Sequence, residues 1–410
     1  MGATGEFDLP SGHLALPAAP PVEFPEAGEV QDAVLDRVQA RLRDNTFPPE
    51  RDFGITYSGM PHPISRRVEE LTTGTYFVEW AGDSQGGTLG FERDAVRMMA
   101  ALLGAPEGAG IITTGGTESN IAALRIMRNR AGRSTPEVIA PVTMHFSFRL
   151  GAELLGIRLR EIDVGDDFRP RIEDVERALT PNTVGLVASA PAGSFGLLDP
   201  IEAFADLAVR HGLPLHVDAA FGGFILPFMR DLGYAVPPFD FSLPGVTTMM
   251  TDGHKLGLMP IATGFFLARD PDHFESIPTE RTLIHTTSST KPGSRAASAW
   301  ATLRHLGRVG YRASTAHVLG LRDRIVAGVT AIPGLSLIAT PLITVVAFTS
   351  ETIDLRDVHQ RMASDGWGQS FGAIRGRPYI RLSIHPSRTI EAADGFVVAF
   401  ERAATRARRP

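Results

Sequence analysis

Between Gly110 and Ala268 the chain repeats one pattern, a short apolar run rich in β-branched residues followed by an amphipathic stretch. The short runs are Gly110–Thr113, Glu137–Val142, Ile157–Ile162, Thr183–Ser189, Leu213–Val217, Val246–Met250 and Thr263–Ala268. Ser119–Arg130 and Pro200–His211 are among the helical stretches between them. That alternation predicts an α/β fold, a mainly parallel sheet covered by helices on both faces. Before it, Val30, Val34, Leu35, Val38 and Leu42 share one face of a helix over Val30–Arg43. A second helix is expected after Pro63, with Ile64, Val68 and Leu71 inward. After the repeat, a helical pair is predicted over Ser294–His305 and Ala313–Val329. Beyond Ile332-Pro333-Gly334 the pattern changes to two strands, a helix near Leu355–Ala363, a strand at Tyr379–Ile384 and a final helix. The expected organisation is therefore an N-terminal arm and helix (1–60), a large domain (61–330) and a small α+β domain (331–410). The first 25 or so residues, rich in Pro and Ala, show no periodicity and read as an arm.

Composition narrows the class of function. The 410 residues carry 40 Lys+Arg against 46 Asp+Glu, a formal charge of −6, which offers nucleic acid no broad basic footprint. The basic RARRP end reads as a solvated helix terminus. No apolar run approaches the roughly 20 residues of a membrane helix, and the N-terminus lacks the pattern of a secretory signal. Cysteine is absent, which excludes disulfides, thiol nucleophiles and thiolate metal sites and fits a cytoplasmic location. His62, His145, His216 and His254 do not have metal-ligand spacing, and no HExxH is present.

The segment TDGHKLGLMPIATGFFLARD (251–270) carries the strongest chemical signal. Lys255 lies between two apolar strands, flanked by Gly253 and Gly257. Lost hydration lowers the pKa of such a lysine and makes its amine a nucleophile toward a carbonyl. By itself, a lysine after a strand is most often an exposed loop residue. Upstream, in LHVDAAFGGF (215–224), Asp218 ends a strand, where an open parallel sheet binds its ligands. An Asp there suits a protonated pyridine nitrogen, although helix capping is its common alternative. Further upstream, IITTGGTESNIAALRIM is strand, Gly-Gly-Thr turn and helix. Backbone N–H groups of Gly115, Gly116 and Thr117 at that helix start suit a phosphate. The bland reading is that Thr117 and Asn120 merely cap the helix. Phosphate cup, strand-end Asp and loop Lys, in that order, are what a pyridoxal 5′-phosphate (PLP) enzyme needs.

With these residues in place, the chain resembles the group II PLP-dependent decarboxylases, especially archaeal tyrosine/aspartate decarboxylases and the related sphingosine-1-phosphate lyases. The resemblance runs from about Phe24 to the C-terminus. It rests on TYSGMPHPISRRVEEL (56–71), TTGGTESN (113–120), MHFSFRLGAELLGI (144–157), LHVDAAFGGF, DGHKLGLMPI and GSRAASAWATLRHLGRVGY (293–311). It implies the aspartate aminotransferase-like fold (PLP-dependent transferase type I), with a mainly parallel seven-stranded sheet and a small C-terminal α+β domain. It implies that Lys255 forms the Schiff base and that His254 reaches the cofactor phosphate. Asp218 would pair with the pyridinium, Ala220 pack beneath the ring and His145 stack on its opposite face. Gly116 and Thr117 would cradle the phosphate, completed by Gly293 and Ser294 from a second subunit, hence a homodimer with shared sites. Tyr57 and His62 fall where the family lines its substrate pocket. Arg381, in RPYIRLSIHP, is a candidate for a substrate carboxylate or a structural ion pair.

The implied activity is a carbon–carbon lyase acting on a small amino acid or amino alcohol. Whichever Cα bond stands perpendicular to the cofactor ring breaks, because its electrons then delocalise. A perpendicular carboxylate leaves as CO₂, and a perpendicular hydroxylated side chain leaves as an aldehyde. Lys255, His145 and Tyr57 are the candidates to move the proton. HKLGLMPI resembles the archaeal decarboxylases, and Ile261 stands where the lyases carry a second lysine for a phosphorylated substrate. ASAPAGSFGLLDPI (188–201) is closer to the lyases, and WAGDSQGGTLGFERDAV (80–96) departs from both. The reading is α-decarboxylation of an L-amino acid, with aldol-type cleavage of a β-hydroxy amine or amino acid as the alternative. A remote third reading takes Gly82-Asp83-Ser84-Gln85-Gly86 as GxSxG with Ser84 a hydrolase nucleophile. The helix that must follow at once is opposed by Gly86, Gly87 and Gly90.

Overall fold

Seven apolar runs become seven strands. In the computed structural model, which describes residues 26–43, 47–54, 59–73, 87–193, 195–277 and 292–408, these are β1 (Ala109–Thr113), β2 (Glu137–Pro141), β3 (Arg158–Ile162), β4 (Thr183–Ser189), β5 (Leu215–Asp218), β6 (Val246–Asp252) and β7 (Gly264–Ala268). Their order in the sheet is β1-β7-β6-β5-β4-β2-β3. Neighbours from β6 to β3 pair in parallel, whereas β7 runs antiparallel between β1 and β6. The helices are α1 (Gln31–Arg43), α2 (Pro63–Thr73), α3 (Gly87–Leu102), α4 (Gly116–Ala131), α5 (Ser147–Leu155), α6 (Ile172–Arg177), α7 (Ile201–His211), α8 (Leu226–Asp231) and α9 (Gly293–Thr330).

Strand alternation builds two cores from one sheet. Phe265 and Leu267 of β7 join Met99 of α3 and Phe204 of α7 on one face. Phe266 and Ala268 point the other way and join Ile126 of α4. Val138 and Ala140 of β2 meet Leu124 and Phe148 on that same second face, while Ile139 belongs to the first. Each fully buried Phe contributes roughly 1.5–3 kcal/mol relative to exposure, so both faces need their helices.

A second, antiparallel sheet follows in the order β10-β11-β9-β8. Its strands are β8 (Leu335–Leu337), β9 (Val345–Ser350), β10 (Ser370–Ile374) and β11 (Arg377–Ser383), with α10 (Leu355–Ser364) and α11 (Ile390–Arg406). Phe348, Ile380, Phe396 and Phe400 fill the interior of this small C-terminal domain. Residues 47–54 dock on it, with the Phe53 amide donating to the Gly368 carbonyl (2.8 Å) and Arg388 Nε donating to the Asp52 carbonyl (3.0 Å).

The helical pair is present within α9, its two helices meeting at Gly307, where φ is 52° and ψ −169°. Other expectations change. Leu71 of α2 is 60% exposed, and the inward residue is Ser65, facing Ser298 of α9. The apolar stripe of α1 is exposed from Val30 to Leu42. Helix α3 begins at Gly87 despite its glycines, because Ala95, Met99 and Leu103 are fully buried and that burial outweighs about 1 kcal/mol of glycine propensity. The arm, Tyr57 and Ser84 lie outside the described residues. Among the described residues no helix is long and apolar enough to cross a membrane.

Candidate active site

Strand register lines up the carboxyl ends of β1, β6, β5 and β4. Thr113 and Asp252 both pair with Gly264, Asp218 pairs with Met250, and Ser189 with Asp218. Sheet order places β1 at one edge with four strands between it and β2, so the chain reverses its winding across this row. Such a switch point opens a crevice at the strand ends.

Asp252 closes β6, and Lys255 follows in the tight turn that leads toward β7. Lys255 Nζ is 2.9 Å from Asp252 Oδ2 and 4.6 Å above the Phe221 ring. Its surroundings are thus not the purely apolar ones expected, since a buried carboxylate faces the amine. The other oxygen, Asp252 Oδ1, is buried with no hydrogen-bond partner among the described residues. Helix α4 begins against this carboxylate. A Cβ on Gly116 would lie 3.0 Å from Asp252 Oδ2 and 2.8 Å from Met250 Cε, so any larger residue would collide. Gly115, at φ 126°, caps α4 without a side-chain hydrogen bond, leaving first-turn amides to point outward. Glu118 binds the Thr114 amide (2.7 Å) and hydroxyl (2.9 Å) and so fixes the turn from outside. His254 Nδ1 donates to the Thr263 carbonyl (2.9 Å), and its Cε1 lies beside Gly115.

The opposite side is fully bonded. Asp218 Oδ1 accepts from the Ala220 amide (3.1 Å) and Oδ2 from Asn120 Nδ2 (3.0 Å). Asn120 Nδ2 also reaches Ser147 Oγ (2.9 Å), which lies 2.8 Å from His145 Nδ1. Asn120 Oδ1 meets His216 Nε2 (3.0 Å), and His216 Nδ1 meets Thr248 Oγ1 (2.9 Å). Burial holds His216 far below the usual range, at about 3, so it is neutral. His145 stands exposed beside Phe146. The surrounding protein still lowers its pKa, with Asp218 and Asp252 opposing and Lys255 and Arg381 assisting.

The structure therefore gathers Lys255, Asp252, His254, Gly116, Asp218, Ala220 and His145 at one edge of the sheet. Thr117 sits half-buried in the first turn of α4. Arg381 anchors Nη1 on the Gly193 carbonyl (2.8 Å) and is felt electrostatically at His145. His62 is tied to this edge through its amide, which donates to the Leu258 carbonyl (2.8 Å), and its ring lies 5.2 Å from His305. Burial and His305 both lower the His62 pKa. Gly293 and Ser294 open α9, which packs along α2 and α3, and among the described residues no hydrogen bond joins them to the Lys255 cluster.

Three residues here escaped sequence reasoning. Asn120 looked like a capping residue, yet its amide is buried under the sheet edge. Asp252 was hidden in the DGHK motif by its neighbours. His385, from the small domain, donates Nε2–H to the Lys255 carbonyl (2.9 Å), and burial holds its pKa at about 3. Gly59 lies flat on the His385 ring, where a Cβ would come within 2.1 Å. A long-range hydrogen bond of this kind leaves no periodicity or local motif to read.

A lysine amine and a glycine cradle at a helix start fit a phosphate-bearing aldehyde cofactor. Comparisons with known proteins agree. The pyridoxal-dependent decarboxylase conserved domain matches residues 73–351. An L-aspartate decarboxylase of Thermococcus kodakarensis is 38% identical over 386 residues, spanning 91% of this chain and 97% of that one. A rice sphingosine-1-phosphate lyase is 39% identical over 293 residues, covering 67% of this chain and 54% of the lyase. Among solved structures, a Burkholderia pseudomallei sphingosine-1-phosphate lyase superposes with a TM-score of 0.85 at 28% identity, covering 96% of this chain and 94% of that one. A strand-end Asp and a loop Lys facing a glycine turn are thus set in a fold that uses PLP, and the chain belongs to the pyridoxal-dependent decarboxylase family.

Proposed function

We propose that this protein removes the α-carboxyl group of an L-amino acid, with L-aspartate the first substrate to test. The observation that carries the choice is the extent of likeness. The relatives named as aspartate decarboxylases match at 37–38% identity along nearly their whole length, whereas the rice lyase is matched over about half of its own and the Burkholderia lyase, alike in fold along its length, is 28% identical. Ile261, 55% exposed near the site, supports the same choice, because it offers no charge to a phosphorylated substrate.

When bound, PLP supplies an electron sink for the pair left on Cα after CO₂ departs. In this proposal Lys255 would hold the cofactor covalently through its amine. Asp218, held by Asn120 and the Ala220 amide, presents a carboxylate to the ring nitrogen and keeps positive charge there. The first-turn amides of α4 at Gly116 and Thr117, together with His254, hold the phosphate. Ala220 packs below the ring and His145 covers its substrate side. Arg381 receives a substrate carboxylate, and His62 with Tyr57 shapes the pocket. Gly293 and Ser294 complete the phosphate site from a second copy of the chain. The exposed apolar stripe of α1, Val30 to Leu42, supports such a homodimer, because nothing among the described residues covers it. A cytoplasmic location belongs to the same reading.

The test offers the PLP-loaded protein a panel of L-amino acids and β-hydroxy amines and identifies products by mass. Amine with CO₂ is expected, L-aspartate giving the highest kcat/KM. Aldehyde release without CO₂ would replace decarboxylation by aldol-type cleavage.

A further inference from the structure

Asn120 sits between the two groups that would flank the cofactor, and its bonding pattern has one chemical solution. A carboxylate only accepts, so the Asn120 atom facing Asp218 at 3.0 Å is the NH₂ end. That same NH₂ group donates to Ser147 Oγ at 2.9 Å. Asn120 Oδ1 therefore needs a donor, and the neutral His216 must supply it from Nε2 at 3.0 Å. His216 Nδ1 is then an acceptor, and the Thr248 hydroxyl, on the neighbouring strand, donates to it. At the other end, Ser147 Oγ accepts from Asn120 and turns its own hydrogen toward His145 Nδ1 at 2.8 Å. The Ser147 backbone amide reaches the same nitrogen at 3.4 Å, and an amide can only donate. Two donors converging on Nδ1 leave the imidazole proton on Nε2.

Resting on the decarboxylase reading, we propose that Asn120 is a positioning residue that sets two groups at once. Through a single polarised chain it orients Asp218 and fixes His145 as the Nε2–H tautomer. His145 then faces the reaction as a hydrogen-bond donor, and in this form it is not the group that accepts a proton. The chain runs Thr248, His216, Asn120, then branches to Asp218 and to Ser147 and His145. Every member but His145 is buried, so water does not compete with its direction.

Histidine-ring ¹⁵N NMR tests this on the protein with and without PLP, the His145 signals being assigned by their loss in His145→Asn. In the unaltered protein near pH 7.5 the neutral Nε2–H pattern is expected for His145 in both forms. Asn120→Asp keeps the shape, but a proton shared with Asp218 leaves it none to donate to Ser147. Ser147 must then turn its hydrogen to the new carboxyl, and the Nδ1–H form of His145 should appear. Two carboxyl groups would also meet at Asp218, so the visible spectrum of bound PLP should shift. Ser147→Ala cuts only the His145 branch. Only the longer backbone donor then faces Nδ1, so some Nδ1–H form should appear beside Nε2–H, the PLP spectrum should stay unchanged, and kcat should fall severalfold with little change in KM. Should Asn120→Asp fail to fold, Ser147→Ala reads that branch alone. An Nδ1–H or doubly protonated His145 in the unaltered protein, or unchanged His145 signals in Ser147→Ala, would overturn the proposal. A protein with the expected tautomer that releases no CO₂ from any amino acid would instead count against the decarboxylase reading.

Discussion

The two walls of the site differ in how finished they are. On the β5 side, both oxygens of Asp218 and every polar atom of the Asn120 amide have partners supplied by the chain itself. On the β6 side, Asp252 Oδ1 is buried without one among the described residues, and Lys255 balances its charge on the neighbouring Oδ2. The first wall is organised before any ligand arrives. The second holds a temporary ion pair in a place a cofactor would complete. Preorganisation belongs where charge must be stabilised during reaction, because dipoles that need not reorient cost nothing then. Incompleteness belongs where a covalent bond must form and break.

That contrast is open to breakage, and Lys255→Ala strikes it hardest. Covalent attachment of PLP and turnover should both vanish. Borohydride reduction and peptide mapping check this, and an adduct found on another residue would remove Lys255 from its role. Asp218→Asn comes next. It keeps the shape of the finished wall but not its charge, so PLP should stay bound while kcat falls about 10²- to 10³-fold, the size seen when one preorganised electrostatic partner is lost. Full turnover in that variant would mean the ring nitrogen needs no carboxylate.

Asp252→Asn sharpens the comparison at the unfinished wall. It leaves the Lys255 ammonium without its counter-charge, so the cofactor-free protein should lose about 3–5 kcal/mol in urea unfolding. The PLP-loaded protein, whose lysine is committed to the cofactor, should lose clearly less. Equal losses in both forms would show that Asp252 acts only on the fold.

The smallest effect concerns pH. His216 and His385 stay neutral in the native state down to about 3, while an unfolded histidine titrates at 6.5. Below pH 6.5 the unfolded chain therefore gains protons that the native one refuses. Each ring then costs about 1.4 kcal/mol of stability per pH unit until the native ring protonates. Asp199 opposes them. Burial raises its pKa from 3.8 to about 7, so between those values the native state keeps a proton the unfolded chain releases. Its contribution falls as pH rises. Two histidines against one carboxylate leave a net loss on acidification between pH 6.5 and 4. His385→Asn should flatten that slope by one proton, measured as urea midpoints across this window. An unchanged slope would mean that the native ring takes a proton in this range.

Much of this was legible one residue at a time. The seven apolar runs match the seven strands to within a few residues, because strands buried on both faces carry an apolar signal that nothing local competes with. Asp218 and Gly116 stood out because one ends and the other begins an element, and Lys255 because it follows a strand end closely; an open sheet gathers such ends at one edge. Helix α3 and strand β10 went unread. Glycines masked the first, and the second, Ser370–Ile374, is a strand by virtue of pairing with β11. Leu71 shows the opposite error, an apolar residue at helical spacing whose inward neighbour was Ser65.

The sequence by itself determined the α/β class, the PLP chemistry and the order of cup, aspartate and lysine, since these follow from periodicity and local motifs. Only the tertiary structure decided which partners those residues have. Asn120 meets Asp218 98 residues away, and His385 meets the Lys255 carbonyl across 130. Hydrogen-bond direction depends on which groups a buried atom faces, and that is fixed only when distant strands pack together.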